Sequence, residues 1–460
     1  MASRFFWTTL LASGCTLVMA QNLFSPTEIR SIQNRWSKDC TFESGLPSDA
    51  SRKGSHAVRL TAAGSEWLWS YYRARGLGKV NPESSPTSND PTVQAWEKWI
   101  DAKIAFDRYQ ASLLVAERNW RDHEVVAPAA GEIPAASDPG PMPADLLALA
   151  GEAPAMAEAV QIREYRIGFP TGTELTYRDN IITRTKWAYY RFPEGVQSAG
   201  QQVKKMPAAE LQRLFSLAGL ASSVQRVMTA VSLLEGGFDS VNTYDTGFLS
   251  VGVIQFATLR GGGGSLGRVM QRYKQDDPQA YQRNFRDYGI DVDGSGLLVA
   301  VRLESGEELV GPEAVREIIA DKRLVAVFQH AGQRCDQFKV AQIRVAHDEY
   351  YPAEDTLTVR TSNGELRLKV KDFIRSEAGM ATLMDRKVNT GKTDPLLAVV
   401  QRLADQRDIK TAAQLAALEA EIIRQMKYRK DYLNDIALSQ PRDGASESYR
   451  GAPTKRDRRR

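Results

Sequence analysis

Cysteine, histidine and net charge are all scarce in this chain. Its 460 residues include 3 cysteines and 4 histidines. His330 and His347 stand in no HExxH pattern and have no cysteine partners at zinc-site spacing, so they read as surface or capping residues and no metal is expected. The Asp291-Val292-Asp293-Gly294 stretch lacks the closing Glu of a calcium loop and reads as a turn. The glycine run 261–264 lacks the Lys-Ser/Thr of a phosphate loop, which excludes a nucleotide site there, and no cofactor is implied. The formal charge of +4 is small and partly owed to the final TKRDRRR. It does not argue for nucleic acid, although a mild basic balance suits an anionic cell-wall polymer.

Long hydrophobic runs are lacking too. The one apolar stretch, FFWTTLLASGCTLVMA, is too short for a membrane span, which needs about 20 residues. Arg4 precedes it, and Val18-Met19-Ala20 before Gln21 fits a small-residue cleavage rule, so residues 1–20 read as an export signal cut after Ala20. A lipoprotein box at Cys15 is the alternative, with Ala12 where Leu is usual. Either way the protein is expected to be secreted or periplasmic. Cleavage leaves Cys40 and Cys335 where disulfides persist; they form either one bond joining the N-terminal part to the core or two unpaired buried thiols.

At 460 residues the chain exceeds one ordinary core, and 42% hydrophobic with 25% charged residues is a globular balance. Ser25-Pro26-Thr27-Glu28 predicts a capped helix start. Two helices rich in Trp and Tyr follow over 60–75 and 93–120, with a loop over 81–91; their rings read as the core of a small bundle, with sugar stacking as the alternative. Residues 125–160, rich in Pro, Ala and Gly, read as a linker. The organisation expected is therefore a helical region (21–124), the linker, a catalytic unit (161–436) and a disordered basic tail (437–460). Within the third of these, strand-like segments lie at 163–169, 173–176 and 181–192. Hairpins are predicted at 297–310 and 356–370, and helices at 206–235, 321–348, 374–391 and 411–433.

The chain is organised around residues 235–256, EGGFDSVNTYDTGFLSVGVIQF. The apolar run before it ends on Glu235, and Gly236-Gly237 read as a helix stop. A carboxylate at a helix C-terminus beside Leu233 and Leu234 is disfavoured as an anion by the dipole and by desolvation. A Glu held protonated is what a general acid needs. Two strand-like pieces around a polar turn then predict a β-hairpin bearing Asp245, so a helix end and a hairpin can present two carboxylates to one bond. Asp239, close behind the glycines, suits structural hydrogen bonding. Asn242 and Tyr244 are candidate cleft residues.

The order Glu, aromatic-Asp segment, hairpin carboxylate and Gly252-Val253-Ile254-Gln255 resembles the catalytic signature of the lysozyme superfamily, in particular goose-type lysozymes, lytic transglycosylases and chitosanases. The resemblance covers about a twentieth of the chain and implies an α+β, mainly α fold with a lysozyme-like core helix and a hairpin at the active site. By the same resemblance Glu235 is the general acid, Asp245 activates water, and Gln255 lies against a sugar. Residues 385–391 resemble the later helix end of such enzymes, where Asn389 would face the cleft and Arg386 would orient a catalytic carboxylate; an ordinary helix cap with Gly391 as terminator is the other reading. The function expected is cleavage of β-1,4 bonds in peptidoglycan, chitosan or chitin by an exported glycosidase. Glu235 acting alone as acid then base, as in lytic transglycosylases, is a variant of this mechanism. A silent wall-binding or structural envelope protein is the alternative.

Overall fold

The computed structural model describes residues 22–77, 88–123, 125 and 133–441. The expected export signal, the lipoprotein alternative at Cys15, most of the 81–91 loop and the tail from 442 onward lie outside the described residues. About half of the chain is helical and about 15% is strand, in small antiparallel sheets, so the fold is α+β and mainly α. No helix among the described residues is long and apolar enough to cross a membrane.

The main core is built around helix Lys322–Arg334, whose middle is buried without interruption from Leu324 to Gly332. Helices Asp336–Tyr350, Glu377–Thr390 and Ser222–Ser232 pack with it in one hydrophobic cluster. Three runs predicted as single helices are each broken. Residues 321–348 split at Cys335, which is extended, while the acid Asp336 sits favourably in the first turn of the next helix. The 206–235 run splits into Ala208–Leu217 and Ser222–Ser232 because Gly219 turns left-handed at φ +78°. The 411–433 run divides into Ala412–Ala416, Glu419–Met426 and a 3-10 turn, Tyr432–Asn434. Apolar spacing continues across each break, so periodicity alone cannot locate it.

Helix Pro26–Lys38 has the expected start: Ser25 and Glu28 form a capping box. Its buried Ile32 and Trp36 do not form a separate bundle; they join the main core, where Trp36 packs edge-on against Phe169 and Tyr288. Strand Thr41–Gly45 pairs with Glu164–Gly168, which pairs with Glu174–Arg178, in one antiparallel sheet. The aromatic helices Ala62–Ala74 and Pro91–His123 form their own small core, with Trp67, Leu68, Tyr71 and Tyr72 buried beside Ile100 and Ile104.

The stretch expected as a linker is ordered in its later half, against expectation. It holds helix Ala144–Ala150 and strand Ala157–Gln161, the latter paired along its length with His56–Leu60. Two apolar anchors, Leu146 and Met156, enter the aromatic core. Indole N–H groups hold the backbone of this stretch: Trp67 Nε1 donates to Gly151 O at 3.0 Å and Trp99 Nε1 to Gly140 O at 3.2 Å. Sparse apolar content is enough where the neighbouring element supplies both the surface and the hydrogen bonds.

The hairpins at 298–310 and 356–369 form as expected, the first gaining a third strand, Ile290–Val292. The expected strand over 181–192 is absent; apart from one bridge between Tyr190 and Asp245, these residues form turns whose rings pack with Leu60 and Ile182. Cys40 and Cys335 are two free buried thiols. Burial pushes the Cys40 thiol up to about 11, and Cys335 Sγ lies 3.0 Å from the Tyr273 hydroxyl. His330 is a core residue, contrary to the surface reading: it stacks on Phe169 at 4.2 Å, and burial pushes its pKa down to about 4. His347 is half-buried, paired with Asp348 and stacked on Tyr351.

Candidate functional site

Helix Ser222–Ser232 buries Val227, Met228, Ala230 and Val231. It tightens as it ends, with the Leu234 and Glu235 amides donating three residues back, to Val231 O and Ser232 O. Glu235 therefore stands at the helix end, as its position after the apolar run predicts. Gly236 and Gly237 serve a different purpose from the one expected. Neither is left-handed; both are where other chain segments come too close for a side chain. A Cβ on Gly236 would lie 2.9 Å from Ser240 Oγ, and one on Gly237 only 2.4 Å from Gln201 O.

The hairpin beyond the glycines belongs to a four-stranded sheet of two-residue strands, Gln197–Ser198, Val241–Asn242, Ser250–Val251 and Phe256–Ala257. Gln342, fully buried on helix Asp336–Tyr350, ties its ends together. Its Nε2 donates to Phe238 O at 2.9 Å, and its Oε1 accepts from Val253 N at 3.1 Å. Asp239 has the structural role its position suggests, accepting from the Gln201 amide at 2.8 Å.

Glu235 does not face open solvent. Leu233 and Leu234, expected to desolvate it, are themselves exposed; what lies against the carboxylate is Arg429, on the segment after helix Glu419–Met426. The Arg429 guanidinium bonds Glu235 and also Asp385, from helix Glu377–Thr390. Asp385 accepts further from Arg429 Nε at 2.8 Å and from the Arg429 amide at 3.3 Å. Two carboxylates thus share one cation in a mostly buried place, their side chains 12% (Glu235) and 1% (Asp385) exposed. Asp385 holds the larger share of that cation. Burial raises the pKa of Glu235 against the opposing pull of Arg429, and the nearby Asp385 adds to the rise. Tyr432 lies beside the cluster with its hydroxyl buried and unpartnered, its ionisation pushed far up by burial.

Asp245 sits at the hairpin tip, where its hydrogen-bond donors are neutral. Asn242 Nδ2 donates to one of its oxygens and the Gly247 amide to the other, each at 2.8 Å. Burial raises its pKa while these bonds, and the nearby charge of Arg191, oppose the rise. Glu235 and Asp245 share no hydrogen-bond partner among the described residues; one continuous turn and hairpin carries both.

The other predicted residues are mostly engaged with the protein. Asn242 also accepts from the Tyr244 amide at 3.2 Å, and the Tyr244 ring packs against Trp187. Gln255, left-handed at φ +57°, donates to Ser240 Oγ at 2.7 Å and to Gly252 O at 3.1 Å, bracing the turn beside Gly236. Asn389 donates to the Asp385 carbonyl of its own helix at 2.7 Å, and Gly391 caps that helix left-handed. Arg386 pairs with none of Glu235, Asp245 and Asp385; its guanidinium lies over the Tyr428 ring, 5.3 Å from the centroid. Arg429, not Arg386, is the cation that lies against Glu235 and Asp385. Nothing in sequence spacing links positions 235 and 429, so this residue was invisible until the chain was folded.

Among the described residues one carboxylate trio, Glu304, Glu317 and Asp321, comes within metal-ligand spacing, but Arg302 and Arg323 pair with it and it lies outside this site. Compared with protein families, with curated proteins and with solved structures, the chain finds no match in any of the three.

Proposed function

We propose that this chain is a glycoside hydrolase that cleaves β-1,4 bonds in an amino-sugar polymer of the peptidoglycan or chitosan/chitin class. The observation that carries the reading is the Glu235–Arg429–Asp385 cluster: a carboxylate at a helix end, largely withdrawn from water, next to a cation already claimed by a deeper acid. Such a group keeps its proton to higher pH than a free Glu and can deliver it to a glycosidic oxygen as charge develops on the sugar ring. After the transfer Glu235 is an anion beside Arg429, which is 30% exposed and keeps its Nε on Asp385 while the guanidinium meets the new charge. Asp245, ionised, would accept a proton from water attacking the opposite face, giving inversion; Glu235 acting alone as acid and then base is the variant.

The test is release of reducing ends or soluble fragments from purified peptidoglycan and from chitosan. Turnover by the wild type, reduced about 10²–10⁴-fold in Glu235→Gln with polymer pull-down unchanged, is the expected result. Binding without release by the wild type would select a silent wall-binding protein, and neither binding nor release would overturn both readings.

A further inference from the structure

The hairpin tip that carries Asp245 is not held by the helix that ends in Glu235. It is held by residues 187–196, and these in turn by the first aromatic helix, Ala62–Ala74. The Arg191 and Phe192 amides both donate to Tyr244 O, at 2.8 and 3.1 Å, and the Thr246 amide donates to Tyr189 O at 3.0 Å. Asp245 is therefore bracketed by two residues that are both bonded to the same strap. Farther along, Thr243 exchanges bonds with Val196 through its amide and its hydroxyl. Gly195 lies so close that a Cβ there would sit 2.5 Å from Thr243 O and 2.6 Å from Tyr244 Cα.

The strap's own anchor is Ser65, fully buried on helix Ala62–Ala74. Its hydroxyl donates to Trp187 O at 2.7 Å and accepts from the Tyr190 amide at 2.9 Å and from Arg191 Nη1 at 3.3 Å. Arg191 adds bonds to Ala188 O and Tyr190 O, and its guanidinium lies over Trp69 of the same helix. One hydroxyl thus satisfies three groups of a segment that has no regular secondary structure to hold it.

We propose that the aromatic N-terminal region is a working part of the site, in which Ser65 and Arg191 are positioning residues that fix the hairpin tip bearing Asp245. The chemical role of Asp245 rests on the hydrolase reading above; the mechanical claim does not. A bundle serving only as a tether would need no hydrogen-bonded route from a buried helix serine to the backbone on either side of one carboxylate.

The experiment compares wild type, Ser65→Ala and Arg191→Met in the full chain, by amide hydrogen exchange and by kinetics on whichever polymer the wild type cuts. Arg191→Met is included because a half-buried position accepts a side chain of similar length if Ser65→Ala fails to fold. The Arg191, Phe192 and Thr246 amides should exchange at least about tenfold faster in the variants, while helix Lys322–Arg334 keeps its protection. With a displaced tip, kcat should fall about 10–100-fold with KM changed less than about threefold. Arg191→Lys, which keeps the charge and a donor, should recover part of kcat. Unchanged exchange at those amides in both variants would overturn the proposal, as would unchanged kcat in both variants where the wild type turns over. If the wild type cuts neither polymer, the hydrolase reading fails and the exchange result alone decides the mechanical claim.

Discussion

The two acidic groups of the site are held by opposite means. Glu235 meets charge: a guanidinium and, behind it, a second carboxylate, the first from the segment after helix Glu419–Met426, 194 positions away in the chain, and the second from helix Glu377–Thr390. Asp245 meets only neutral donors at contact distance, an amide side chain three residues back and a backbone N–H two residues on. Burial raises both pKa values. The difference teaches where each can be tuned. The proton on Glu235 depends on how one cation is divided between two acids, whereas the state of Asp245 depends on how tightly a local turn is closed.

The sharpest way to break this contrast is Asp385→Asn. Removing the deeper acid leaves Arg429 wholly to Glu235 and replaces charged hydrogen bonds to Asp385 by neutral ones, which should cost about 1–2 kcal/mol in denaturant unfolding. The basic limb of the pH–rate profile should also move to lower pH, because an undivided cation favours ionised Glu235. Neutralising the other side, Asp245→Asn, should lower kcat about 10²-fold with little change in polymer affinity. The basic limb should stay in place, since no shared partner connects the two acids. Equal movement of that limb in both variants, read from kcat against pH, would erase the distinction.

The smallest expected effect concerns stability. A carboxylate whose folded pKa is raised favours the native state below its unfolded value, and that contribution is lost as pH rises through the folded value. Glu235→Gln should therefore unfold at a higher midpoint than wild type at pH 7 and lose that advantage near pH 4. Thermal melts at the two pH values check the sign. An advantage present only at low pH would mean that Arg429, rather than burial, governs the group.

Much of the fold was legible where the local pattern is strong. Ser25-Pro26-Thr27-Glu28 foretold a capped helix, Ser362-Asn363-Gly364 a hairpin, and the polar turn after Val241 another, because caps and turns are decided by residues within a few positions. Places read wrongly have two causes. The ordered stretch 144–161 and the segment 187–196 depend on partners remote in the chain, whereas the helix breaks at Gly219 and Cys335 are backbone turns that the continuing apolar spacing hides.

From the sequence alone came the position of Glu235 at the end of an apolar helix and of Asp245 on a hairpin, because 3.6-residue spacing and turn chemistry are local properties. Only the tertiary structure decided what those acids face. Arg429 and Asp385 reach Glu235, and Ser65 reaches the segment that holds the Asp245 hairpin, across separations over which the sequence carries no periodic signal, brought there by burial of apolar faces that are themselves indifferent to which charge comes along.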